Sequence, residues 1–253
     1  MTDVTTEVQD SVAILEIRRP PANFFDKELV RDLADTGFEL HAKGTRALVL
    51  ASEGKHFCAG ANFGDESGQG DRTLRSIELY KSAVRLFRLP IPVVAAVQGS
   101  AVGGGFGLAC AADFRVAAPS TRFHANFAHL GFHQGFGMSE SLSDIVGKQA
   151  ALDLLLSGRR ITGDEAAQIG LVDRLVPEGE LRGTAVAWAH ELSWGAPLAV
   201  QSMKQTLRGP LADRVEAILD RELIEQTRQW ATEDCRRGIA ANLQRERAEF
   251  VGR

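Results

Sequence analysis

The sequence is poor in cysteine, tyrosine and long apolar runs, and each shortage closes off a class of protein. Its 253 residues include three cysteines and one tyrosine. Cys58, Cys110 and Cys235 are odd in number and far apart, with no C-x-x-C pair, so neither a disulfide framework nor a cysteine-based zinc or redox motif is expected. Free thiols in a reducing, cytoplasmic setting are the simplest reading. The stretch MTDVTTEVQDSVAILEIRR lacks the basic-then-apolar order of a secretory leader. Nowhere do about 18 apolar residues run uninterrupted, so no membrane span is expected. A basic excess is missing too: the net charge of −4 gives no general attraction to nucleic acid or anionic membrane. The arginines at the end of the chain (Arg236, Arg237, Arg245, Arg247) alternate with acids, as on a solvated helix face.

What is present is an ordinary globular composition, 44% hydrophobic and 25% charged. The segment SVAILEIRRPPANFFD alternates around Val12, Ile14 and Ile17 and reads as a strand ended by Pro20 and Pro21. KELVRDLADTGFELHA carries Leu29, Val30, Leu33 and Leu40 on a helical period. RALVLAS, PIPVVAAVQG and DFRVAAP are short apolar runs that suit strands buried on both faces. Between the last two, GGGFGLACAA reads as a helix entered through glycines. This alternation of strands and helices predicts an α/β fold with parallel pairing. Further on, Thr162 and Glu165 have capping-box spacing, Gly170 stands where a glycine ends a short helix, and a strand follows. From Ala196 the chain reads as helical, with a break at Gly209–Pro210 and then a stripe of Val215, Ile218, Leu219 and Leu223. That stripe must be covered by the chain's own core or by a neighbouring subunit.

Two glycine-containing stretches each follow an apolar strand: GKHFCAGANFG from Gly54 and GSAVGGGFGLAC from Gly99. Gly103, Gly104, Gly105 and Gly107 do not have the spacing of a dinucleotide fingerprint, and no Gly-Lys-Ser/Thr follows for a phosphate loop. A strand–glycine–helix junction exposes backbone N–H groups that can stabilise an oxyanion; equally, it can be a tight turn with close helix packing.

KHFCAGANF and IPVVAAVQGSAVGGGFGLACAADFRVAA resemble the paired signatures of the enoyl-CoA hydratase/isomerase (crotonase) superfamily. The resemblance runs on through TRFHANFAHLGF, GKQAALDLLLSGRRITGDEAAQIGLVDRLV, PLAVQSMKQTLR and the final TEDCRRGIAANLQRERAEFVGR, and so covers nearly the whole chain. It implies a crotonase-like spiral of ββα units over residues 1–195 and a C-terminal helical oligomerisation region over 196–253, assembling a homotrimer or a dimer of trimers. It also implies an acyl-CoA substrate, with coenzyme A part of the substrate and no separate cofactor. By position, the thioester oxygen would be held by the N–H groups of Ala61 and Gly104. Lys55, Ala59, Asn62, Phe63, Gly103 and Phe127 would contact the substrate. Lys55 would lie near the CoA phosphates, or simply be a surface lysine, and Asn62, where the family commonly has aspartate, would hold the loop.

The sequence also departs from the family. By the resemblance, hydratases place one glutamate three residues after the oxyanion glycine and another four residues after the Phe of TRF; here those positions are Gly107 and Phe127. An aspartate of the dienoyl-CoA isomerases and aryl-CoA dehalogenases would fall at Gly135. Losing acid/base groups removes about 10²–10⁴-fold of rate, so ordinary hydration is expected to be very slow. A glycine at 107 with an aromatic at 127 resembles the dehalogenase branch and implies an enlarged, apolar acyl pocket.

His124, His129 and His133 lie within ten residues. The spacing H-x4-H-x3-H matches no common zinc pattern and no cysteine or acid is close, so no metal site is expected. As a general acid or base His133, in the turn before a helix, is the first candidate. His129 is the second, sharing a side with Phe127 if that segment is extended. His124 and His56 read as structural, while Glu140 and Asp144 could be relocated carboxylates or first-turn acids favoured by the helix dipole. The expected function is therefore that of a divergent hydrolase, lyase or isomerase on a bulky acyl-CoA; the alternative is a non-catalytic acyl-CoA binder that kept the fold.

Overall fold

The computed structural model describes residues 3–62 and 72–253. In chain order the elements are β1 (Val4–Gln9), β2 (Val12–Ile17), α1 (Lys27–Ala42), β3 (Ala47–Ser52), α2 (Arg72–Phe87), β4 (Val93–Val97), β5 (Ser100–Val102), α3 (Gly104–Ala111), β6 (Phe114–Ala117) and β7 (Arg122–His124). There follow α4 (Phe127–Leu130), α5 (Met138–Val146), α6 (Lys148–Ser157), β8 (Arg160–Thr162), α7 (Gly163–Gln168), β9 (Arg174–Leu175), α8 (Leu181–Ser193), α9 (Pro197–Trp230) and α10 (Glu233–Gln244).

One sheet has the order β1-β2-β3-β4-β6-β9, antiparallel only between β1 and β2; a smaller sheet runs β5-β7-β8. The apolar runs are continuous because the large sheet is covered on both faces. Val12, Ile14, Val49, Val94, Ala96 and Val116 face α8, where they meet Leu181, Ala185 and Ala189. Their alternate neighbours Ala13, Leu15, Leu48, Leu50, Ala95 and Val97 belong to the main core. β2 therefore differs from the alternating strand expected: all six of its residues are buried. Glu16 is tolerated there because it pairs with Arg18 and Arg182.

The helix signals are realised in detail. Asp26 caps α1, its side chain accepting the Leu29 N–H at 2.8 Å, and Thr162 caps α7 by accepting the Glu165 N–H at 3.2 Å. The expected break at Gly209–Pro210 is absent, since α9 runs unbroken through Pro210. An internal proline costs a helix about 3 kcal/mol. Packing on both sides outweighs that cost. Ahead of the proline, Lys204 Nζ donates to Asp113 at 2.6 Å and Arg208 donates to the last carbonyls of α3, at Cys110, Ala111 and Ala112. Beyond it, Leu211, Ala212, Val215 and Leu219 enter the core. The C-terminal helices thus fold onto their own chain, with α9 against α2 and α5 and α10 against α4. Among the described residues no helix is long and apolar enough to cross a membrane.

Candidate active site

The loop after β3 and the junction before α3 are laced together by backbone hydrogen bonds. Cys58 N–H donates to Ser100 O and accepts, through its own carbonyl, from Val102 N at 3.0 Å. Ala59 N–H donates to Ala22 O at 3.0 Å and Phe25 N–H to Gly60 O at 2.9 Å. Asn23, fully buried, adds side-chain bonds to the carbonyls of Glu53 and His56. The consequence is a close approach of the two glycine-containing segments. A Cβ on Gly60 would lie 2.8 Å from Val102 O and 3.2 Å from Gly104 N, and Gly60 has φ +78°. Only glycine leaves the face of the Gly104 N–H open here.

Among the described residues no acceptor pairs with the N–H of Ala61 or that of Gly104, and both residues are half-buried rather than sealed. Gly104 opens α3, so its N–H is one of the orphan donors of a helix start. Two rigid, unpaired donors at neighbouring turns can receive a developing negative charge on oxygen without reorganising. Cys58 is fully buried behind them, and burial pushes its thiol up to about 12, which leaves it no role as a nucleophile.

Aromatic rings close the region. Phe25 lies against Gly104, where a Cβ would be 2.4 Å from its Cζ, and stacks obliquely on Phe136 at 5.6 Å. Phe136 in turn covers Gly107: a Cβ there would be 2.8 Å from the Phe136 Cβ. The pocket expected from a glycine at 107 is thus not enlarged at this point, because Phe136 fills the space. Similarly, a Cβ on Gly135 would meet the Tyr80 hydroxyl at 2.1 Å, so no aspartate fits without displacing Tyr80. Phe127 is buried, with its Cζ 3.9 Å from a Cβ on Gly103, and packs edge-on against Phe132.

The histidines separate. His124 Nε2 bonds Gly158 O at 2.8 Å, and burial lowers its pKa, so it is structural. The segment carrying Phe127 and His129 is helical, not extended as supposed, so two residues of separation turn the side chains about 200° apart. Phe127 points to Gly103, whereas His129 is exposed, with its ring over Gly158 and 6.1 Å from that of His124. His133 lies in the loop leading to α5, half-buried, its Nδ1 2.8 Å from Gln134 O. A carbonyl only accepts, so in the neutral ring Nδ1 carries the proton and Nε2 is the acceptor. Glu140 and Asp144 both pair with Arg214. Lys55 is exposed, Ala59 half-buried, and Asn62 exposed at the loop end, whereas Phe63 lies outside the described residues. Among the described residues no three His, Cys, Asp or Glu side chains gather as for a metal.

With this geometry in place, comparison with known proteins is decisive. The sequence model of the family described as enoyl-CoA hydratase/isomerase matches residues 7–253. The chain belongs to the enoyl-CoA hydratase/isomerase family. It is 30% identical over 257 residues to a probable enoyl-CoA hydratase of Bacillus subtilis, covering 100% of both chains. It is also 30% identical over 254 residues to the short-chain-enoyl-CoA hydratase of Clostridium acetobutylicum, covering 98% of this chain and 97% of that one. The crystal structure of an enoyl-CoA hydratase/isomerase from Pseudoalteromonas atlantica T6c superposes with a TM-score of 0.86 at 29% identity, covering 99% of this chain and 100% of that one. The mixed α/β crotonase fold expected from the sequence is therefore the fold observed.

Within this family fold, one buried cluster escapes a motif-based reading. Tyr80 of α2 donates to Gln226 Oε1 at 2.6 Å, and Gln226 Nε2 donates to His133 O at 3.0 Å. Glu222 accepts from Gly137 N, Ser139 N and Ser139 Oγ at 2.8, 3.0 and 2.6 Å. Together they hold the loop that carries His133 and Phe136, and Phe136 sits at φ +61°, an unusual conformation for an aromatic residue. Burial pushes the Glu222 carboxyl up, against the pull of its Ser139 and Gly137 donors. The signal was in the spacing: Leu211, Val215, Leu219, Glu222 and Gln226 form one buried helical stripe, and two of its members are polar.

Proposed function

We propose that this chain acts on an acyl-CoA thioester, holding the thioester oxygen between the N–H groups of Ala61 and Gly104 while an enolate or tetrahedral oxyanion forms. The observation that carries this reading is the pair of unpaired backbone donors juxtaposed by Gly60. The names of the relatives, enoyl-CoA hydratases among them, support the substrate class. The reaction is not ordinary hydration but a hydrolytic, lyase or isomerase step. Gly107 offers no proton-transferring group and is covered by Phe136, and Phe127 is an aromatic ring with no acid–base chemistry. His133 is the proposed base, its Nε2 left as the acceptor nitrogen of the neutral ring by the bond from Nδ1 to Gln134 O. Lys55, exposed at the start of the loop, is proposed for the CoA phosphates, with Ala59, Asn62, Gly103 and Phe127 around the rest of the substrate.

Activity should be measured on a panel of acyl-CoA thioesters. Hydration of crotonyl-CoA at ordinary enzymatic rates would refute the reading of Gly107 and Phe127. On any thioester that is turned over, His133→Ala should lower kcat at least about tenfold, and His129→Ala should not. The second reading, a non-catalytic acyl-CoA binder, is favoured by the packing of Phe136 over Gly107. It would be supported by thioester binding without turnover across the panel. The assembly is proposed to be a homotrimer or dimer of trimers: Leu198, Met203 and Leu207 on the first half of α9, with Trp194 before it, are large apolar residues left exposed in the single chain. Its three cysteines, free and buried, accord with a cytoplasmic location.

A further inference from the structure

Beside the proposed oxyanion donors lies a polar group with no partner. Asn126 is 6% exposed, and its Oδ1 is buried without a hydrogen bond. Leaving an amide oxygen in that state is unfavourable, and such atoms are rare in folded proteins. The local fold does not explain it. Asn126 is the N-cap residue of α4, a position where asparagine normally accepts a helix N–H through its side chain, yet it makes no such bond. Its backbone carbonyl does the work instead, accepting from His129 N at 3.0 Å and Leu130 N at 3.1 Å.

The side chain is aimed elsewhere. A Cβ on Gly103 would lie 3.0 Å from Asn126 Oδ1 and 3.9 Å from Phe127 Cζ, so the amide oxygen and the ring edge converge beside the residue that precedes Gly104. Gly103 cannot satisfy the oxygen, because its own N–H is taken by His124 O at 2.8 Å. Any side chain at Gly103 would crowd this oxygen, and glycine leaves its face uncovered. The nearby wall is otherwise aromatic, built from Phe25, Phe127 and Phe136.

We propose that Asn126 is a specificity-determining residue of the acyl site: its Oδ1 accepts a hydrogen bond from a hydroxyl carried by the acyl group close to the thioester. The proposal rests on the reading that Ala61 and Gly104 hold the thioester oxygen, since that places the first acyl carbons next to Gly103. A hydroxylated acyl chain satisfies the buried acceptor, whereas its deoxy counterpart leaves it unpaired in an apolar wall. The site therefore discriminates through the cost of the unpaired group as well as through the bond itself.

The test is calorimetric binding of butyryl-CoA and of (R)- and (S)-3-hydroxybutyryl-CoA to the full chain. One hydroxylated thioester should bind about tenfold or more tightly than butyryl-CoA, the equivalent of one buried hydrogen bond made rather than lost. In Asn126→Leu, which keeps the size and removes the acceptor, the ratio should fall to about one. Equal affinities for all three thioesters in the wild type would overturn the role of Asn126 without touching the acyl-CoA reading, and this comparison needs no variant. A ratio that persists in Asn126→Leu would overturn it too. Binding of none of the three would refute the acyl-CoA reading and this proposal with it.

Discussion

Adding a single methyl group at Gly107 sets two effects of known sign against each other. Gly107 lies inside α3, where replacing glycine by alanine in a free helix gains about 1 kcal/mol. In the folded chain, however, the new Cβ would stand 2.8 Å from Phe136 Cβ and 3.0 Å from both Cγ and Cδ1. These atoms cannot yield as the tip of a flexible chain would. Phe136 is 1% exposed, its ring rests on Phe25, and its backbone is held at φ +61° by the bonds around Gly137 and Ser139. Overpacking of this kind costs about 1–3 kcal/mol. The net expectation for Gly107→Ala is a loss of about 1 kcal/mol, which for a chain of this size lowers Tm by about 2–4 °C. Thermal unfolding followed by circular dichroism reads this directly. An increase in Tm of a few degrees, the result of helix propensity acting alone, would refute the packing of Phe136 over this position. It would also reopen the case for a pocket enlarged by the missing side chain.

Gly60→Ala should weaken thioester binding at least about tenfold and lower stability by about 1–2 kcal/mol, since the residue has φ +78° and its Cβ would press on Val102 O beside Gly104 N; calorimetric titration with unchanged affinity would count against Gly104 as a donor. Asp113→Ala strips partners from Lys204 and Val93 N, at 2.6 and 2.8 Å, and leaves the buried ammonium of Lys204 without a counter-charge, held only by the Ile91 carbonyl at 2.7 Å; urea unfolding should show a loss of about 3–5 kcal/mol, and a loss below about 1 kcal/mol would refute the anchoring of α9 by this pair. Glu222 is raised by burial, so the folded chain keeps its proton to a higher pH than the unfolded chain does, and the stability tied to that proton is present below the ordinary carboxylate value and lost as pH rises through the raised one. The stability of the wild type relative to Glu222→Gln should therefore fall as pH rises above about 4.5, and a flat difference in urea unfolding would refute it.

Elements governed by neighbours along the chain were legible in the sequence. The cap at Thr162, the glycine entry to α3 and the apolar runs of β3, β4 and β6 depend on spacings of a few residues, and all are found in place. The close approach of the two glycine-containing segments was legible as well, through glycines such as Gly60 that the meeting of two backbones requires. The same local rules misled at Pro210, where anchoring by Lys204 and Arg208 overrides a helix breaker, and at His129, where one turn of helix replaces an extended segment. The polar cluster of Tyr80, Glu222 and Gln226 joins helices more than a hundred residues apart, and no local spacing encodes that meeting. By itself, then, the sequence determined the family, the fold and the two glycine-bearing turns, because each is written in short-range backbone preferences and glycine positions. Only the tertiary structure decided what occupies the space around those turns. Whether Gly107 opens a pocket or receives Phe136, and whether Asn126 caps its helix or faces Gly103, depends on the packing of side chains brought together from distant parts of the chain.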